Sequence, residues 1–349
     1  MPAPLVSVIM PIRDGERFLQ EAIDSVLAQT FADFEIIAID DGSSDSTPAI
    51  LAEAVRRDPR VTVVRQAPTG LVDALNRGIA ATRGPFIARL DADDVSLPAR
   101  LARQIEAMRS DTSLGLLGSY AEEIDENGRA LVIRKPPLSH ESLVDALEQG
   151  NPFIHSTILV RTDLVRACGG FRAAFAGAED YDLWLRIAER SRIGNLPETL
   201  VRYRVHAQTV TELQKVRMAF SVRIARRAAF ERKAGRRDPF EGLAAPPDWR
   251  TTAFDSLLGP DARDFRLLEF ADRANAANLE LATLDPAIFE GLAARLDHGE
   301  RRLAQRALLH LLQRKHRPSW LSRARLLTLL ISLHPARAAK LLAQAAIGE

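Results

Sequence analysis

Three carboxylates follow an apolar segment in the N-terminal part of the chain. The segment 86–90 reads FIARL, and Asp91, Asp93 and Asp94 come directly after it. A buried strand of this kind delivers the side chains that follow it to the C-terminal edge of a sheet, where open α/β folds bind ligands. Divalent cations such as Mg²⁺ and Mn²⁺ prefer oxygen ligands, usually carboxylates together with substrate phosphates. The alternative is that one of these aspartates caps the helix predicted near Pro98, since Asp is a common N-cap residue.

A second acidic cluster follows another strand-like segment. Asp40 and Asp41 come after the apolar residues 36–39 and before Gly42. A carboxylate at a strand end can accept a hydrogen bond from a base N–H or a ribose hydroxyl, and a glycine permits the close approach of a ligand. The alternative is an Asx-type turn followed by a helix cap. Two acidic strand ends in one sheet favour a shared site.

Composition restricts the classes of protein that the chain can belong to. With 349 residues, 46% of them apolar, the chain can bury the cores of about two domains. The 47 basic and 46 acidic residues nearly balance, which gives no support to nucleic-acid binding. One cysteine, Cys168, allows no intrachain disulfide and fits a reducing compartment. With neither a signal-peptide pattern nor a membrane-spanning apolar run, we expect a cytoplasmic protein that at most contacts a membrane surface.

Strand-like and helix-like patterns alternate through the first half of the chain. This alternation predicts an α/β fold with a mostly parallel sheet and helices on both faces, and right-handed crossovers place the strand-to-helix loops at one edge. We therefore expect the loops near Ile12, Asp41 and Asp91 to lie together. The predicted strands are 5–10, 34–39, 61–64, 85–90, 114–119, 155–160 and 199–205, with a hairpin turn at 126–129, and the predicted helices are 18–27, 45–55, 71–81, 98–108, 141–149, 164–167 and 179–190.

The character of the sequence changes near residue 208, where glycine becomes sparse and helical patterns rich in Ala, Leu and Arg begin. We predict a first domain at 1–210 and an all-α C-terminal domain at 211–349, with a break near 238–249 where prolines cluster. Short antiparallel helices are expected at 281–296, 300–313, 320–333 and 335–346. The basic and apolar faces of this region could contact a membrane surface, form a dimer or pack on the first domain. The oligomeric state is not predicted.

Eight motifs, each weak alone, occur in the order that they have in glycosyltransferases of family 2. They are VIMPI at 8–12, LAQTF at 27–31, IDDGS at 39–43, LNRGI at 75–79, ARLDADD at 88–94, NPFIH at 151–155, EDYDLW at 179–184 and YRVH at 203–206. Over roughly residues 6–209 the chain therefore resembles this family of inverting, nucleotide-sugar-dependent enzymes. The resemblance implies a Rossmann-like GT-A fold with a DXD motif. It also implies transfer of one sugar, with UDP as the favoured carrier, to a hydroxyl acceptor in surface glycan or glycolipid assembly.

The resemblance implies roles for residues at the nucleotide. Asp41 matches the carboxylate that hydrogen-bonds the uracil ring, with Asp40 as its support, and the loop at 11–12 would lie against the nucleotide. Arg89 could fork onto phosphate. The residues placed at the nucleotide are Pro11, Ile12, Asp40, Asp41, Asn76, Arg89 and Asp91.

The DXD motif implies a divalent cation, Mn²⁺ or Mg²⁺, that bridges the diphosphate and makes it a better leaving group. Asp93 matches the usual direct ligand, and Asp91 would help through the ribose or the metal. His206 matches a position that approaches the metal or the diphosphate, and an exposed loop histidine is the alternative. Asp94 remains as the expected helix cap.

Asp180 matches the carboxylate that acts as general base, taking the proton of the acceptor hydroxyl. The alternative is a helix N-terminal residue stabilised by the helix dipole, and one carboxylate can satisfy both. His155 lies in a motif that lines the acceptor side in the family, and we place Glu179 and Trp184 on the same side, Trp184 as a platform for a sugar. For His155 and Trp184, buried packing positions are the alternatives.

The sequence departs from the family pattern at two points, and two other functions are alternatives to the one that the resemblance implies. Asp14 stands where the family usually has asparagine, and the Gln-x-x-Arg-Trp motif of processive synthases is absent, which favours transfer of a single sugar. A sugar-phosphate nucleotidyltransferase would need a glycine-rich basic loop after the first strand, whereas residues 11–15 read PIRDG. A non-catalytic binding or scaffold module is the other alternative, and it is disfavoured because the carboxylates are present.

Overall fold

The computed structural model describes residues 3–205, 212–247 and 252–258. The strands are β1 Val6–Ile12, β2 Phe34–Asp41, β3 Val61–Gln66, β4 Phe86–Arg89, β5 Val95–Ser96, β6 Leu114–Ile124, β7 Ala130–Arg134, β8 Leu159–Arg161 and β9 Arg192–Arg204. The α-helices are α1 Leu19–Leu27, α2 Thr47–Arg57, α3 Leu71–Ala81, α4 Arg100–Ser110, α5 His140–Gln149, α6 Thr162–Ala167, α7 Glu179–Ala188, α8 Glu212–Lys233 and α9 Thr252–Leu258. Short 3₁₀ turns occur at His155–Thr157 and Ala173–Phe175.

The predicted alternation of strands and helices is confirmed up to β4. Every residue of β1, β2 and β4 is buried, as expected for central strands covered on both faces. Helix α1 buries an apolar stripe at helical spacing and exposes its other side. The buried residues of that stripe are Leu19, Ala22, Ile23 and Val26.

The sheet is mixed, which corrects the prediction of a mostly parallel sheet. Its order is β3-β2-β1-β4-β8-β6-β9-β5, and β7 pairs on β6. Four pairings are parallel (β1/β2, β1/β4, β2/β3 and β6/β9) and four are antiparallel (β4/β8, β6/β8, β6/β7 and β5/β9). The difference begins after β4, where β8 inserts in the opposite direction between β4 and β6. The segment predicted as a strand from 155 begins instead as the 3₁₀ turn.

The register of the parallel strands brings the predicted loops to one edge. Ile12 pairs with Asp40, and Ile9 pairs with Arg89 at the end of β4. The loops that follow β1, β2 and β4 therefore start at similar heights on the sheet. This confirms that the loops near Ile12, Asp41 and Asp91 share an edge.

Two compact units are distinguished along the chain. Residues 3–205, 224–238 and 242–246 belong to the first, and the other described residues belong to the second. In the second unit, the rings of Phe220 and Phe254 stack with their centroids 5.8 Å apart. The helices predicted beyond residue 258 lie outside the described residues, and the boundary near residue 210 stays a prediction. In the part of the chain that is described, no helix has the length and apolar character needed to cross a bilayer.

Candidate active site

The acidic loop after β4 gathers three carboxylates in a small volume. One oxygen from each of Asp91, Asp93 and Asp94 lies within 4.8 Å of the other two. Asp94 is fully buried, and burial together with the charges of Asp91 and Asp93 raises its pKa well above the usual range. Its Oδ2 has no hydrogen-bond partner among the described residues. Such a concentration of hard oxygen ligands and negative charge fits a Mg²⁺ or Mn²⁺ ion.

Asp94 does not cap a helix, which corrects that prediction. Helix α4 begins at Arg100 with Ala99 at its N-cap, and no side chain caps it. The Oδ1 atom of Asp94 instead accepts a hydrogen bond of 2.8 Å from the backbone N–H of Arg204. The short strand β5 pairs with β9 directly after the acidic loop, so the helix starts later than Asp94 could reach.

Asp91 is held by two buried side chains. Ser156 is fully buried, and its Oγ donates to Asp91 Oδ2 at 3.2 Å and accepts from the Asp91 N–H at 3.1 Å. Arg89 is 5% exposed, forms an ion pair with Asp91 and donates to Ser156 Oγ at 3.1 Å. Burial is the largest single effect on the pKa of Arg89 and would lower it, but the charge and hydrogen bond of Asp91 together with the charges of Asp94 and Asp180 outweigh burial, and the pKa is raised. Arg89 is therefore charged and binds two other side chains of the protein. Its contact with phosphate stays a prediction.

Asp41 is an ionised acceptor, 4% exposed, that three hydrogen bonds hold in place. Its Oδ1 accepts from Gln66 Nε2 at 2.6 Å and from Thr69 N–H at 2.8 Å, and its Oδ2 accepts from Gly70 N–H at 2.9 Å. Burial would raise the pKa of Asp41, but these hydrogen bonds outweigh it and lower the pKa below its usual range. A carboxylate has about four acceptor positions, so Oδ2 can accept one more N–H.

Asp40 and Gly42, on either side of Asp41, make contacts within the protein itself. Asp40 Oδ1 accepts from the Ser43 N–H at 2.9 Å, a bond within the loop, and its role as support for Asp41 stays a prediction. Gly42 has a φ of +72°, and a Cβ there would lie 2.7 Å from Pro68 Cδ. Glycine at 42 is therefore required by the backbone and by Pro68, whether or not a ligand approaches.

Two predictions about the loop after β1 need comment. Pro11 and Ile12 are the buried last residues of β1 rather than part of a loop, which corrects that placement. Asp14 has a φ of +49°, and its Oδ1 accepts from the Ser44 N–H at 2.7 Å. Asparagine tolerates this backbone conformation and offers the same acceptor, so the departure from the family pattern preserves the contact.

Asp180 lies in the first turn of α7 and remains partly accessible, with its side chain 18% exposed. Its Oδ2 accepts from Asn151 Nδ2 at 2.8 Å, and its Oδ1 accepts from the Tyr181 N–H at 2.6 Å. Burial raises the pKa of Asp180, an effect that the Tyr181 N–H, Arg89 and Asn151 only partly oppose. A reachable carboxylate with a raised pKa is suited to accept a proton.

Glu179 and His155 adjoin this carboxylate. Glu179 is 5% exposed, and its Oε2 accepts from the Gly177 N–H at 2.7 Å. Burial and the charge of Asp180 raise the pKa of Glu179 to about 7. His155 Nδ1 lies 3.9 Å from Asp180 Oδ2, and burial together with Arg89 holds the pKa of His155 well below its usual value. His155 is therefore neutral at pH 7, and the acceptor-side roles of both residues stay predictions.

Trp184 is a core residue, which corrects its placement as a sugar platform on the acceptor side. Its side chain is 1% exposed, so no sugar can stack on it. Its ring centroid lies 6.4 Å from that of Phe153, 5.9 Å from that of His155 and 6.3 Å from that of Phe171. The ring makes T-shaped contacts with His155 and with both phenylalanines.

The nucleotide contact of Asn76 and the metal contact of His206 stay predictions, for different reasons. The amide of Asn76 donates to the Phe171 carbonyl at 2.8 Å and accepts from the Phe171 N–H at 2.9 Å. These two bonds favour a structural role, fastening α3 to the loop before α7. His206, the third predicted metal ligand, lies outside the described residues.

A buried ion-pair cluster anchors the helix that carries Asp180. Asp182 has no exposed surface and accepts from Arg186 Nη2 at 2.7 Å and from Arg172 Nε at 2.9 Å. Arg172 also pairs with Asp238 at 2.8 Å. The cluster therefore fixes the first turn of α7, and with it the direction of the Asp180 side chain.

Asp182→Ala is expected to destabilise the protein by about 3–5 kcal/mol, because it leaves two largely buried guanidinium groups without their shared carboxylate. Denaturant unfolding followed by circular dichroism measures this loss. Glu198→Ala is the matched control, since it removes an ion pair with Arg103 at the surface. The control should cost no more than about 1 kcal/mol. Equal losses in the two variants would contradict the anchoring role of Asp182.

Comparison with known proteins gives the family. The chain matches the family described as Glycosyl transferase family 2 over residues 7–168. The Escherichia coli O-antigen biosynthesis glycosyltransferase WbnJ is 35% identical over 224 residues, which are 62% of this chain and 84% of that protein.

Solved structures give the fold. S. aureus TarS 1-349 in complex with UDP-GlcNAc has a TM-score of 0.58 and 16% identity, covering 96% of this chain and 92% of that one. The mannosyltransferase PcManGT from Pyrobaculum calidifontis, in complex with GDP-Man and Mn²⁺, has a TM-score of 0.51 and 20% identity, covering 95% and 88%. The mixed sheet with its flanking helices is thus a GT-A-like glycosyltransferase fold, as the resemblance implied. The chain is a glycosyltransferase, and it belongs to glycosyltransferase family 2.

Proposed function

We propose that this enzyme transfers a single sugar from a UDP-linked donor to a hydroxyl group of a glycan or lipid-linked acceptor, with inversion at the anomeric carbon and with Mn²⁺ or Mg²⁺ as cofactor. The observation that carries the proposal is that two adjacent residues link the acidic loop to the candidate base. Ser156 Oγ donates to Asp91 Oδ2 at 3.2 Å, and Nδ1 of the neighbouring His155 lies 3.9 Å from Asp180 Oδ2. Inverting displacement uses a base at the acceptor hydroxyl, and a cation at the diphosphate would assist the leaving group.

Each residue has a defined task in this proposal. Oδ2 of Asp41 accepts the N–H of the uracil ring at its remaining acceptor position. Asp91 and Asp93 would hold the cation, which when bound would neutralise charge on the diphosphate. Asp180 takes the proton of the acceptor hydroxyl while that oxygen forms a bond to the anomeric carbon. The bond from the anomeric carbon to the diphosphate oxygen breaks on the opposite face, and UDP leaves with the bonding electrons.

Proteins similar to this chain support the choice of donor, cofactor and pathway. TarS is described in complex with UDP and with UDP-GlcNAc, and PcManGT in complex with GDP-Man and Mn²⁺. The name of the E. coli relative places that protein in O-antigen biosynthesis. We extend these properties to this chain because its acidic loop fits a hard divalent cation. Contact of the C-terminal region with a membrane that carries the acceptor remains part of the proposal.

The alternative of a sugar-phosphate nucleotidyltransferase is disfavoured by the loop after β1. A triphosphate cradle needs backbone N–H groups that are free to bind phosphate. Here the N–H groups of Asp14, Gly15 and Glu16 donate instead to Ser43 Oγ, Thr47 Oγ1 and Asp45 Oδ2, at 3.0, 2.9 and 2.9 Å. The loop after β1 is thereby fastened to the loop after β2.

Nucleotide release from a panel of UDP-sugars tests the proposal, with GDP-mannose as the competing donor. The full-length protein is assayed with Mn²⁺, with Mg²⁺ and with EDTA, and the mass of any product is recorded. Release of UDP from one donor, dependent on the metal and accompanied by a mass gain of one sugar, is expected. Release of inorganic pyrophosphate from a nucleoside triphosphate and a sugar phosphate would identify the alternative enzyme. The absence of nucleotide binding would favour the scaffold module.

The pH dependence of turnover should have an acidic limb. Because Asp180 must be ionised to accept a proton, kcat/KM should fall about tenfold per pH unit below the apparent pKa of the Glu179 and Asp180 pair. Burial raises the pKa of Asp180, and burial together with the charge of Asp180 raises the pKa of Glu179 to about 7, so the limb should lie above the pH at which an ordinary aspartate titrates. Glu179→Gln removes one of the two adjacent charges and should move the limb to lower pH. A profile that stays flat through the ordinary titration range of an aspartate in the parent enzyme would contradict this assignment.

A further inference from the structure

Arg204, the last residue of β9, binds three separate segments with one side chain. Its Nε donates to the Asp93 carbonyl at 2.8 Å, and its Nη1 lies 3.2 Å from the Asp125 carbonyl and 3.4 Å from the Glu126 carbonyl. Its Nη2 donates to Glu21 Oε2 at 2.7 Å. The side chain is 2% exposed, so these groups take the place of water around a buried cation. The three segments are the acidic loop, the turn between β6 and β7, and helix α1.

The backbone of Arg204 adds a second bond to the same loop. Its N–H donates to Asp94 Oδ1 at 2.8 Å, and its guanidinium lies 4.4 Å from the ring centroid of Phe18. Arg204 therefore fixes the main chain at Asp93 and the side chain at Asp94. Ser156 Oγ donates to Asp91 Oδ2 in the same loop. The carboxylates of Asp91 and Asp94 are thus positioned by two different residues.

We propose that Arg204 is a positioning residue that sets the geometry of the acidic loop for its cation and couples this loop to the turn at 125–128. The proposal rests on the cation site of the proposed function. Residues that orient ligands without touching the ion typically contribute about 10–100-fold in metal affinity. A movement of the hairpin turn would displace the Nη1 atom of Arg204 and, through the rigid guanidinium plane, its bond to the Asp93 carbonyl.

The chemistry at this position requires arginine. The guanidinium presents five N–H donors in one plane, whereas a lysine ammonium presents three donors around a single atom. A lysine cannot reach the acidic loop, the hairpin turn and Glu21 together, although it retains the positive charge. Arg204→Lys therefore separates the positioning function from the charge.

Arg202→Lys provides a matched control on the same strand. Arg202 lies two residues before Arg204, and its half-exposed side chain pairs with Glu122 at 2.9 Å. Its Nε contacts β6 rather than the acidic loop. Both variants replace an ion-paired arginine of β9 by lysine, so a difference between them reports the contacts of Arg204.

Two measurements on the full-length protein test the proposal. Binding of Mn²⁺ in the presence of UDP is followed by electron paramagnetic resonance, and amide exchange of the metal-free protein is followed by mass spectrometry. Arg204→Lys is expected to raise the Mn²⁺ dissociation constant by about 10-fold or more. It should also accelerate exchange in the peptides that contain 91–96 and 124–129 together. Arg202→Lys should match the parent in both measurements.

Unchanged Mn²⁺ binding, or faster exchange in only one of the two peptides, would overturn the proposal. If the parent protein binds no Mn²⁺, the metal dependence of the proposed function is rejected. Amide exchange in the two peptides still decides whether Arg204 couples the acidic loop to the hairpin turn. If Arg204→Lys does not unfold cooperatively, Glu21→Gln replaces it, because the Glu21 side chain is 58% exposed. A smaller change in the same direction in both peptides then supports the proposal, and parental exchange rejects it.

Discussion

Asp180→Asn is expected to lower kcat for sugar transfer by about 10²–10⁴-fold while leaving nucleotide binding close to that of the parent. The amide keeps the shape of the side chain and its oxygen can still accept the Tyr181 N–H, but its nitrogen cannot accept from Asn151, and the side chain cannot accept a proton at neutral pH. Loss of turnover without loss of UDP affinity would separate a chemical role from a structural one. Initial rates of UDP release and a calorimetric titration with UDP provide the two readings.

The control for this variant is Asp73→Asn. Asp73 is also in the first turn of a helix, α3, and is exposed. If the contribution of Asp180 were only stabilisation of the helix dipole, the two variants should have similar and small effects. Full transfer activity in Asp180→Asn would remove Asp180 from the mechanism.

Asp93→Asn is expected to weaken Mn²⁺ binding and to reduce metal-dependent turnover by about 10²–10³-fold, since a direct cation ligand stabilises the departing diphosphate by several kcal/mol. Unlike the Asp180 variant, this one should also bind UDP more weakly when Mn²⁺ is present, because a bound cation would be held by the protein and by the nucleotide together. Without metal, parent and variant should bind UDP alike. Titrations of Mn²⁺ and of UDP, each with and without the other, measure these differences.

Asp111→Asn is the matched control for the cation site, because Asp111 is an exposed aspartate at the C-terminal end of α4. It should leave the Mn²⁺ dissociation constant unchanged. Metal binding that is equally strong in Asp93→Asn and in the parent would exclude Asp93 as a ligand.

The sequence predicted those parts of the fold that depend on local patterns. Helix α1 and helix α7 were identifiable because their apolar residues recur at helical spacing, and the central strands because they are continuous apolar runs. The sheet was predicted less well after β4. The direction of β8 depends on pairing with β4 and β6, strands that lie far from it in sequence, and no local pattern encodes that choice.

The acidic residues illustrate the same limit within the site. Their place at strand ends was predicted correctly, but the role of Asp94 was not. A carboxylate a few residues before a helix resembles an N-cap in sequence, whereas its real partner is the N–H of Arg204, more than a hundred residues away. The preference for a cap was outweighed by the pairing of β5 with β9, which delays the start of the helix.

Several residues that position the site gave no usable signal. Ser156 directly follows the NPFIH motif at 151–155, but no pattern in the sequence distinguishes it from other serines. Its importance comes from its two bonds to Asp91. Arg204 lies in the YRVH motif at 203–206, in which the family resemblance gave a role to His206 and none to Arg204. Trp184 was ambiguous because a tryptophan at helical spacing can be core or platform, and only its burial distinguishes the two.

The anomeric configuration of the first product tests the central claim most directly. In the absence of an acceptor, slow hydrolysis of an α-linked UDP-sugar can be followed by proton NMR before the released sugar equilibrates. Attack from the Asp180 side, opposite the diphosphate, predicts that the β-anomer appears first and that Asp180→Asn suppresses it. Initial release of the α-anomer would contradict a single displacement with Asp180 as base.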